Sequence, residues 1–436
     1  MKYFLAGIKG SGMTSLACIL KDMGHDVSGS DVDDIYFTDA KLDEKKIKVY
    51  SFGKQNIDNT IDYLILGNAF SEELEEVVYA KKNNIKVIRY FDFIAKLAKE
   101  YNSIAIAGTN GKTTTTGLAS SMLKDQSMIY LIGDGTGVGT VDAKYFLFEA
   151  CEYKNTFHNY FSKIGLINNI ELDHPDFFTS IEHVLETYQG FADQCEKLVI
   201  NVDDLNCQKI THNNIVSFGV DNPNADVVMK NIVKSRDGFS FDLSINNEEI
   251  ENLFLPFQGD HMIYNSLASI TISYAMGLDL INSIKNLSTF SGTSRRFQIE
   301  VLDKNKNIIL VDDYAHHPTA IEYTISAIKQ KYPNYKVSVI FQPHTYSRTK
   351  TFLEEFAKSL LPADNIYLAD IFGSVREQKC EFDVNILVDE VIKLDHNVQK
   401  DLSFIDPNDS NHVIAVLGAG NVDKLYIPEI KKIIKG

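Results

Sequence analysis

Apolar and polar positions along this chain follow two rhythms in turn. Short unbroken apolar runs, the mark of strands buried on both faces, are separated by stretches with the three-to-four-residue spacing of one-sided helices. Strands are predicted at KYFLAG (2–7), HDVSGSD (25–31), DYLILG (62–67) and IKVIRY (85–90), with helices at SLACILKDMG (15–24) and FDFIAKLAKEYN (91–102). A second series runs through IAIA (104–107), YFLFEA (145–150), IGLINNI (164–170) and KLVINVDD (197–204), with a helix over about 263–276. The third holds NIILVDDY (307–314), VSVIFQP (337–343), NIYLADIF (365–372) and HVIAVLGAGN (412–421). Such alternation builds parallel sheets covered by helices. Residues 227–257 break the rhythm with turn signals at Asp237-Gly238 and Asn246-Asn247, which predicts a small antiparallel appendage. The expected fold class is α/β, in three consecutive domains at 1–102, 103–292 and 293–436. Ligands in such sheets gather beyond the carboxyl ends of the strands, so the chemistry is sought there.

Composition narrows the choice. The chain has 436 residues, 44% of them hydrophobic, enough for several buried cores. With 43 Lys and Arg against 59 Asp and Glu, the formal charge is −16. That argues against a broad nucleic-acid footprint or an anionic-membrane surface, while leaving room for a local basic pocket. The five cysteines, Cys18, Cys151, Cys195, Cys207 and Cys380, are scattered and form no CxxC pair, so they read as free thiols in a reducing compartment. No stretch reaches the ~18 apolar residues of a membrane span. Glycines also interrupt the apolar run of MKYFLAGIKGSGM that a secretory signal would need. A soluble, cytoplasmic protein is the expectation.

The stretch IAIAGTNGKTTTT (104–116) carries the sharpest chemistry. The usual phosphate loop, G-x-x-x-x-G-K-[ST], would need glycine where Ile106 stands, so this loop is a shorter type. Gly108, Thr109, Asn110 and Gly111 would aim successive backbone N–H groups at one point, and the helix start adds its positive dipole end. Lys112 would neutralise phosphate oxygens, Thr113 would offer a hydroxyl to Mg²⁺, and Thr114 continues the helix. A plain strand–turn–helix junction is the bland alternative; Lys-Thr directly after the second glycine favours the cradle. Metal ligands would come from neighbouring strand ends, where FEACE offers Glu149 and Glu152 and NNIELDHPD offers Glu171, Asp173, His174 and Asp176. Together they suggest a Mg²⁺–ATP centre.

GIKGSG sets glycines at 7, 10 and 12, whereas a dinucleotide fingerprint wants them at 7, 9 and 12, and position 9 is Lys9. Asp31 follows at a strand end, as a ribose-binding acid would. A cradle for a uridine diphosphate, with Lys9 near its pyrophosphate, suits this spacing better than an NAD site; a glycine turn for close packing is the other reading. In the third block SGTSRRFQ (291–298), VDDYAHHPTA (311–320) and QPHTYSRT (342–349) bring Asp312, Asp313, His316, His317, His344 and Arg348 to strand ends. Adjacent histidines seldom aim at one ion, so a polar substrate-binding face that closes over the ATP domain is expected there rather than zinc.

Taken in order, GIKGSGM…SGSD, AGTNGKTTTT, FEACE, NNIELDH, GDHMIYNSLAS, SRRF, DDYAHHPT and QPHTYSRT resemble the Mur ligases, from about residue 2 to GAGN at 418–421. The resemblance implies an N-terminal Rossmann-like UDP-sugar-binding domain, a central P-loop ATPase-type domain with the antiparallel appendage, and a C-terminal Rossmann-like domain that brings the amino acid. It implies ATP-dependent amide-bond formation in peptidoglycan precursor synthesis, by way of an acyl phosphate. The implied substrates are UDP-N-acetylmuramate and L-alanine, with ATP and Mg²⁺ as cofactors. Carried over residue by residue, Gly108, Thr109, Asn110, Gly111, Lys112, Thr113 and Thr114 bind the ATP phosphates. Thr113, Glu149 and His174 hold magnesium. Asn265 meets adenine, Arg296 the phosphates and Asp313 the ribose side. His344 and Arg348 lie near the reacting groups, and Gly7, Lys9, Gly10, Ser11, Gly12 and Asp31 hold the UDP portion. Three positions depart from the family's pattern. Asn110 stands where alanine-adding members commonly carry histidine, Met262 where an asparagine often precedes Asn265, and Gln189 where several relatives have a carbamylated lysine. Alternatives are a tripeptide-adding ligase of cell-wall recycling, a catalytically silent nucleotide-binding scaffold and, more distantly, an NAD-linked oxidoreductase.

Overall fold

The computed structural model describes residues 1–246, 248–373 and 382–435. Cys380 and Asn247, the second half of one turn signal, lie outside the described residues. The chain divides into two compact units, one of Met1–Glu171, Ile181–Val228 and Asn265–Phe290, the other of Leu172–Ser180, Met229–Tyr264 and Ser291–Gly436.

The first unit contains an all-parallel sheet of β1 (Lys2–Ala6), β2 (Asp26–Asp31), β3 (Lys48–Ser51), β4 (Tyr63–Leu66) and β5 (Lys86–Arg89), in the order β3-β2-β1-β4-β5. The order reverses beside β1, so the loop after β1 opens into the crevice where doubly wound sheets hold ligands. Phe4, Ala6, Leu64 and Leu66 fill one face against Ile57, Val77 and Ala80. The helix after β1 begins at Ser11, four residues earlier than the apolar run suggests, because Met13 is already buried in its first turn.

The same unit holds a second sheet. Its parallel strands are β6 (Asn102–Ala107), β7 (Met128–Leu131), β9 (Tyr145–Glu149), β10 (Ile164–Ile167), β11 (Lys197–Asn201) and β12 (Ile215–Val220), with the short antiparallel β8 (Gly137–Val138) at the edge. They lie in the order β12-β11-β10-β6-β9-β7-β8, so β6 sits at a second switch point between β10 and β9.

In the chain between 227 and 255 are β13 (Val227–Ser235), β14 (Gly238–Ile245) and β15 (Glu248–Leu255), and β14 and β15 pair antiparallel. The second unit carries β16 (Gln298–Asp303), β17 (Ile308–Asp313), β18 (Lys336–Phe341), β19 (Asn365–Leu368), β20 (Val398–Gln399) and β21 (His412–Leu417), in the order β16-β17-β21-β18-β19-β20. All but β16 run parallel. Alternation along β17 sends Ile309 and Val311 into one core and Ile308 and Leu310 into the other, as a sheet covered on both faces requires. Among the described residues, no helix is long and apolar enough to cross a membrane, and Cys18, Cys151, Cys195 and Cys207 are free thiols.

Candidate functional site

The turn after β6 is built by its neighbours. Gly108 has φ +138°, and a Cβ there would come within 2.9 Å of the Asn168 side chain; at Gly111, φ +83°, a Cβ would fall 2.5 Å from Asn265 Oδ1. Only glycine admits both the conformation and the approach. The end of β10 then clamps the loop. Asn110 N donates to Asn169 Oδ1 at 2.8 Å, Asn169 Nδ2 returns a bond to Asn110 O at 3.0 Å, and Thr109 N donates to Asn169 O at 3.0 Å. The Asn110 side chain itself donates to Glu171 Oε2 at 3.1 Å. Asn168 and Asn169, the first two residues of NNIELDH, are thus pillars of the loop that went unread as such.

Lys112 opens the helix Lys112–Met122. Its Nζ donates to Gly108 O at 2.5 Å and Thr109 O at 3.1 Å, and meets Glu152 Oε2 at 2.9 Å. Burial works against the lysine's charge, but Glu152, with Glu149 behind it, more than offsets this and holds the ammonium above its usual range. Glu149 has a different partner set: Thr113 Oγ1 and Gly133 N both donate to its Oε2, at 2.8 and 3.0 Å. One carboxylate and one hydroxyl side by side at a phosphate-type loop are hard oxygen donors. They fit a magnesium ion that takes its remaining ligands from substrate phosphates and water. No group of three His, Cys, Asp or Glu that could cage a metal occurs among the described residues.

In the first cradle Gly7 N donates to Ser30 O at 2.8 Å, and Asp31 accepts from Lys9 N at 2.7 Å and Val32 N at 2.8 Å. The Lys9 ammonium turns to the carbonyls of Val32 and Asp34, at 3.0 and 2.7 Å. Gln189 is held at the surface by Asp193 and the Thr211 backbone, while the next residue back, Tyr188, is buried.

The second unit assembles its own cluster. Arg348, 4% exposed, directs Nε and Nη2 to Asp173 Oδ1, both at 2.9 Å, and its Nη1 lies 3.4 Å from His344 Nδ1. Burial alone would raise the Asp173 carboxyl; Arg348, helped by the rings of His174, His317 and His316, holds it well below the usual carboxylate range. His174 has φ 51° and its Nε2 stands 3.8 Å from Asp173 Oδ2. His316 Nδ1 sits 2.9 Å from Tyr314 O, and burial, then Arg348, pushes its imidazole well below the usual value. The two adjacent histidines diverge: His316 faces His344, ring centres 6.1 Å apart, whereas His317 lies edge-on to Phe352. Asp313 accepts from the N–H groups of Phe297 and Ala315, each at 2.7 Å, and burial raises its carboxyl. The guanidinium of Arg296 lies 5.0 Å from the Tyr314 ring.

Known proteins resemble the chain along its whole length. Models described as the Mur ligase family catalytic domain, the Mur ligase middle domain and the Mur ligase glutamate ligase domain match residues 3–102, 106–273 and 295–420 in succession. Among solved structures, UDP-N-acetylmuramate-alanine ligase MurC of Thermotoga maritima is similar with a TM-score of 0.81 and 23% identity, over 100% of this chain and 98% of that one. A murein peptide ligase of Psychrobacter arcticus gives 0.71 and 21%, over 100% and 99%. MurF ligase of Thermotoga maritima in complex with ADP gives 0.62 and 16%, over 94% and 95%.

Proposed function

The chain belongs to the Mur ligases, a family of ATP-dependent amide-bond-forming enzymes of peptidoglycan precursor synthesis, and on that footing we propose that it joins L-alanine to the lactyl carboxylate of UDP-N-acetylmuramate. The observation that carries the ATP-dependent step of this reading is Lys112, largely buried at a helix start in a glycine loop and kept charged by Glu152. Two anions, the substrate carboxylate and the γ-phosphate, must meet for the reaction to begin. A fixed cation and converging N–H groups lower their repulsion without reorganisation during the step. Bound Mg²⁺–ATP would supply the phosphoryl group that turns the carboxylate into an acyl phosphate open to attack by an amine. The residues proposed to hold it are Gly108 to Thr114, Glu149 and His174, with Asn265, Arg296 and Asp313 toward the nucleoside. Gly7, Lys9, Gly10, Ser11, Gly12 and Asp31 are assigned to the UDP portion, and His344 and Arg348 to the amino acid.

A second reading, attachment of a whole tripeptide, draws on two observations. The murein peptide ligase is similar over the full chain, and Asn110 replaces the histidine common in alanine-adding members. Phosphate release from ATP, Mg²⁺ and UDP-N-acetylmuramate decides between them when L-alanine is compared with L-Ala-γ-D-Glu-diamino acid. Release with alanine supports the first reading; release with the tripeptide alone establishes the second. Silence with both would leave a nucleotide-binding scaffold.

A further inference from the structure

Within the first unit the turn Gly133-Asp134-Gly135-Thr136-Gly137 links the two proposed nucleotide cradles through named bonds. On one side, Gly133 N donates to Glu149 Oε2, the oxygen that also accepts from Thr113 of the phosphate loop. On the other, Thr38 Oγ1 donates to Lys9 O, in the middle of the first glycine loop, at 2.6 Å. Lys41, one turn further along the helix Asp39–Glu44, closes the gap. Its Nζ donates to Asp134 O at 2.9 Å and Thr136 Oγ1 at 2.6 Å, and lies 3.5 Å from Asp134 Oδ1. Asp134 is only 8% exposed, so its carboxylate depends on such partners.

The turn cannot slide independently of what lies beneath it. Ser15 Oγ donates to Ile132 O at 3.0 Å, and a Cβ on Gly137 would fall 1.9 Å from Ser15 O. The helix carrying Ser15 starts from the first glycine loop, so a shift of that loop reaches the turn through backbone contact as well as through Lys41.

We propose that Lys41 is a positioning residue that couples the two cradles: it fixes the 133–137 turn where Gly133 N–H orients Glu149, so that a nucleoside diphosphate at Gly7–Gly12 and a magnesium nucleotide at Thr113–Glu149 tighten each other's binding. The inference rests on the assignment of those two cradles. A contiguous set of bonds is by itself only a route; the coupling free energy is what has to be measured.

The test is calorimetric titration of the full chain with ADP and Mg²⁺, with and without saturating UDP. In the wild type UDP tightens ADP binding by about 5–150-fold, and ADP tightens UDP by the same factor, as linkage requires. In Lys41→Met both ligands still bind but the factor falls to within about twofold of one, the level of ordinary non-additivity; Lys41→Arg restores part of it. If Lys41→Met fails to fold, Thr136→Val removes the shortest of the lysine's contacts and lowers the factor in the same direction. Both ligands binding without mutual effect in the wild type, or an unchanged factor in Lys41→Met, overturns the inference alone. Failure of the wild type to bind one of the two ligands overturns the cradle assignment, and the inference with it.

Discussion

Replacing Lys112 by methionine keeps much of the aliphatic stem and removes the ammonium. Glu152, 2% exposed, then holds a carboxylate with its cation gone, beside the carbonyls of Gly108 and Thr109 that Lys112 had bridged. Breaking one side of a buried ion pair costs about 3–5 kcal/mol. Glu152→Gln strands the lysine in the same way. The double variant, with neither charge, returns to within about 1 kcal/mol of the wild type, because a buried pair replaced as a unit is close to neutral. Turnover follows another course. In the role proposed for Lys112, loss of one charged donor to the developing phosphoryl charge should remove about 2.7–4 kcal/mol of transition-state stabilisation, a rate loss of about 10²–10³, and the double variant should not recover it. Urea unfolding and phosphate release on the four proteins separate the two effects. A Lys112→Met protein as stable as the wild type, or near-normal turnover in either Lys112 variant, refutes the reasoning.

Burial, with the Lys336 ammonium nearby, lowers the His412 imidazole to about 4, and Nε2 lies 2.7 Å from Ser338 Oγ. The neutral ring's contribution is whole above about pH 6.5 and is lost as pH falls toward 4, about 3 kcal/mol in all; urea midpoints of wild type and His412→Gln should converge between pH 7 and 4.5, and parallel curves would contradict this. Arg348→Lys cannot direct two donors at Asp173 as the guanidinium does. It should raise KM for the amino-acid substrate by about 10–150-fold, the worth of one charged hydrogen bond, with KM for ATP unmoved; equal rises in both would remove Arg348 from the amino-acid side. Gly137→Ala forces a Cβ against Ser15 O and should destabilise by about 1–3 kcal/mol; an unchanged thermal midpoint would deny that close approach.

What could be read from the sequence was what is stored locally. Buried strands such as KYFLA and HVIAVL announce themselves because both faces are covered and every position after the first is apolar. Solvent-exposed edge strands such as β3 and β16 do not, although the edge strand β5 was read from IKVIRY. β16 exposes its first four positions and β3 three of four, so neither presents an apolar run, and neither was assigned as a strand. The phosphate loop was legible because glycine, lysine and threonine adjacent in sequence are adjacent in space. The partners of that loop were not, because register sets them. Ile106 of β6 pairs with Glu149 of β9, so Glu152, just beyond that strand's end, comes alongside Lys112. Ala107 pairs with Ile167 of β10, which places Asn168 and Asn169 opposite Gly108 to Asn110. FEACE and NNIELDH therefore do unlike work at one loop: β9 supplies charge, with one carboxylate turned to Lys112 and the other to Thr113, while β10 supplies the amides that hold the backbone. A motif names the residue types at a strand's end. The strand order β10-β6-β9 decides which strand ends flank the phosphate loop, and the β6–β9 register decides which of two glutamates at one strand end meets the lysine.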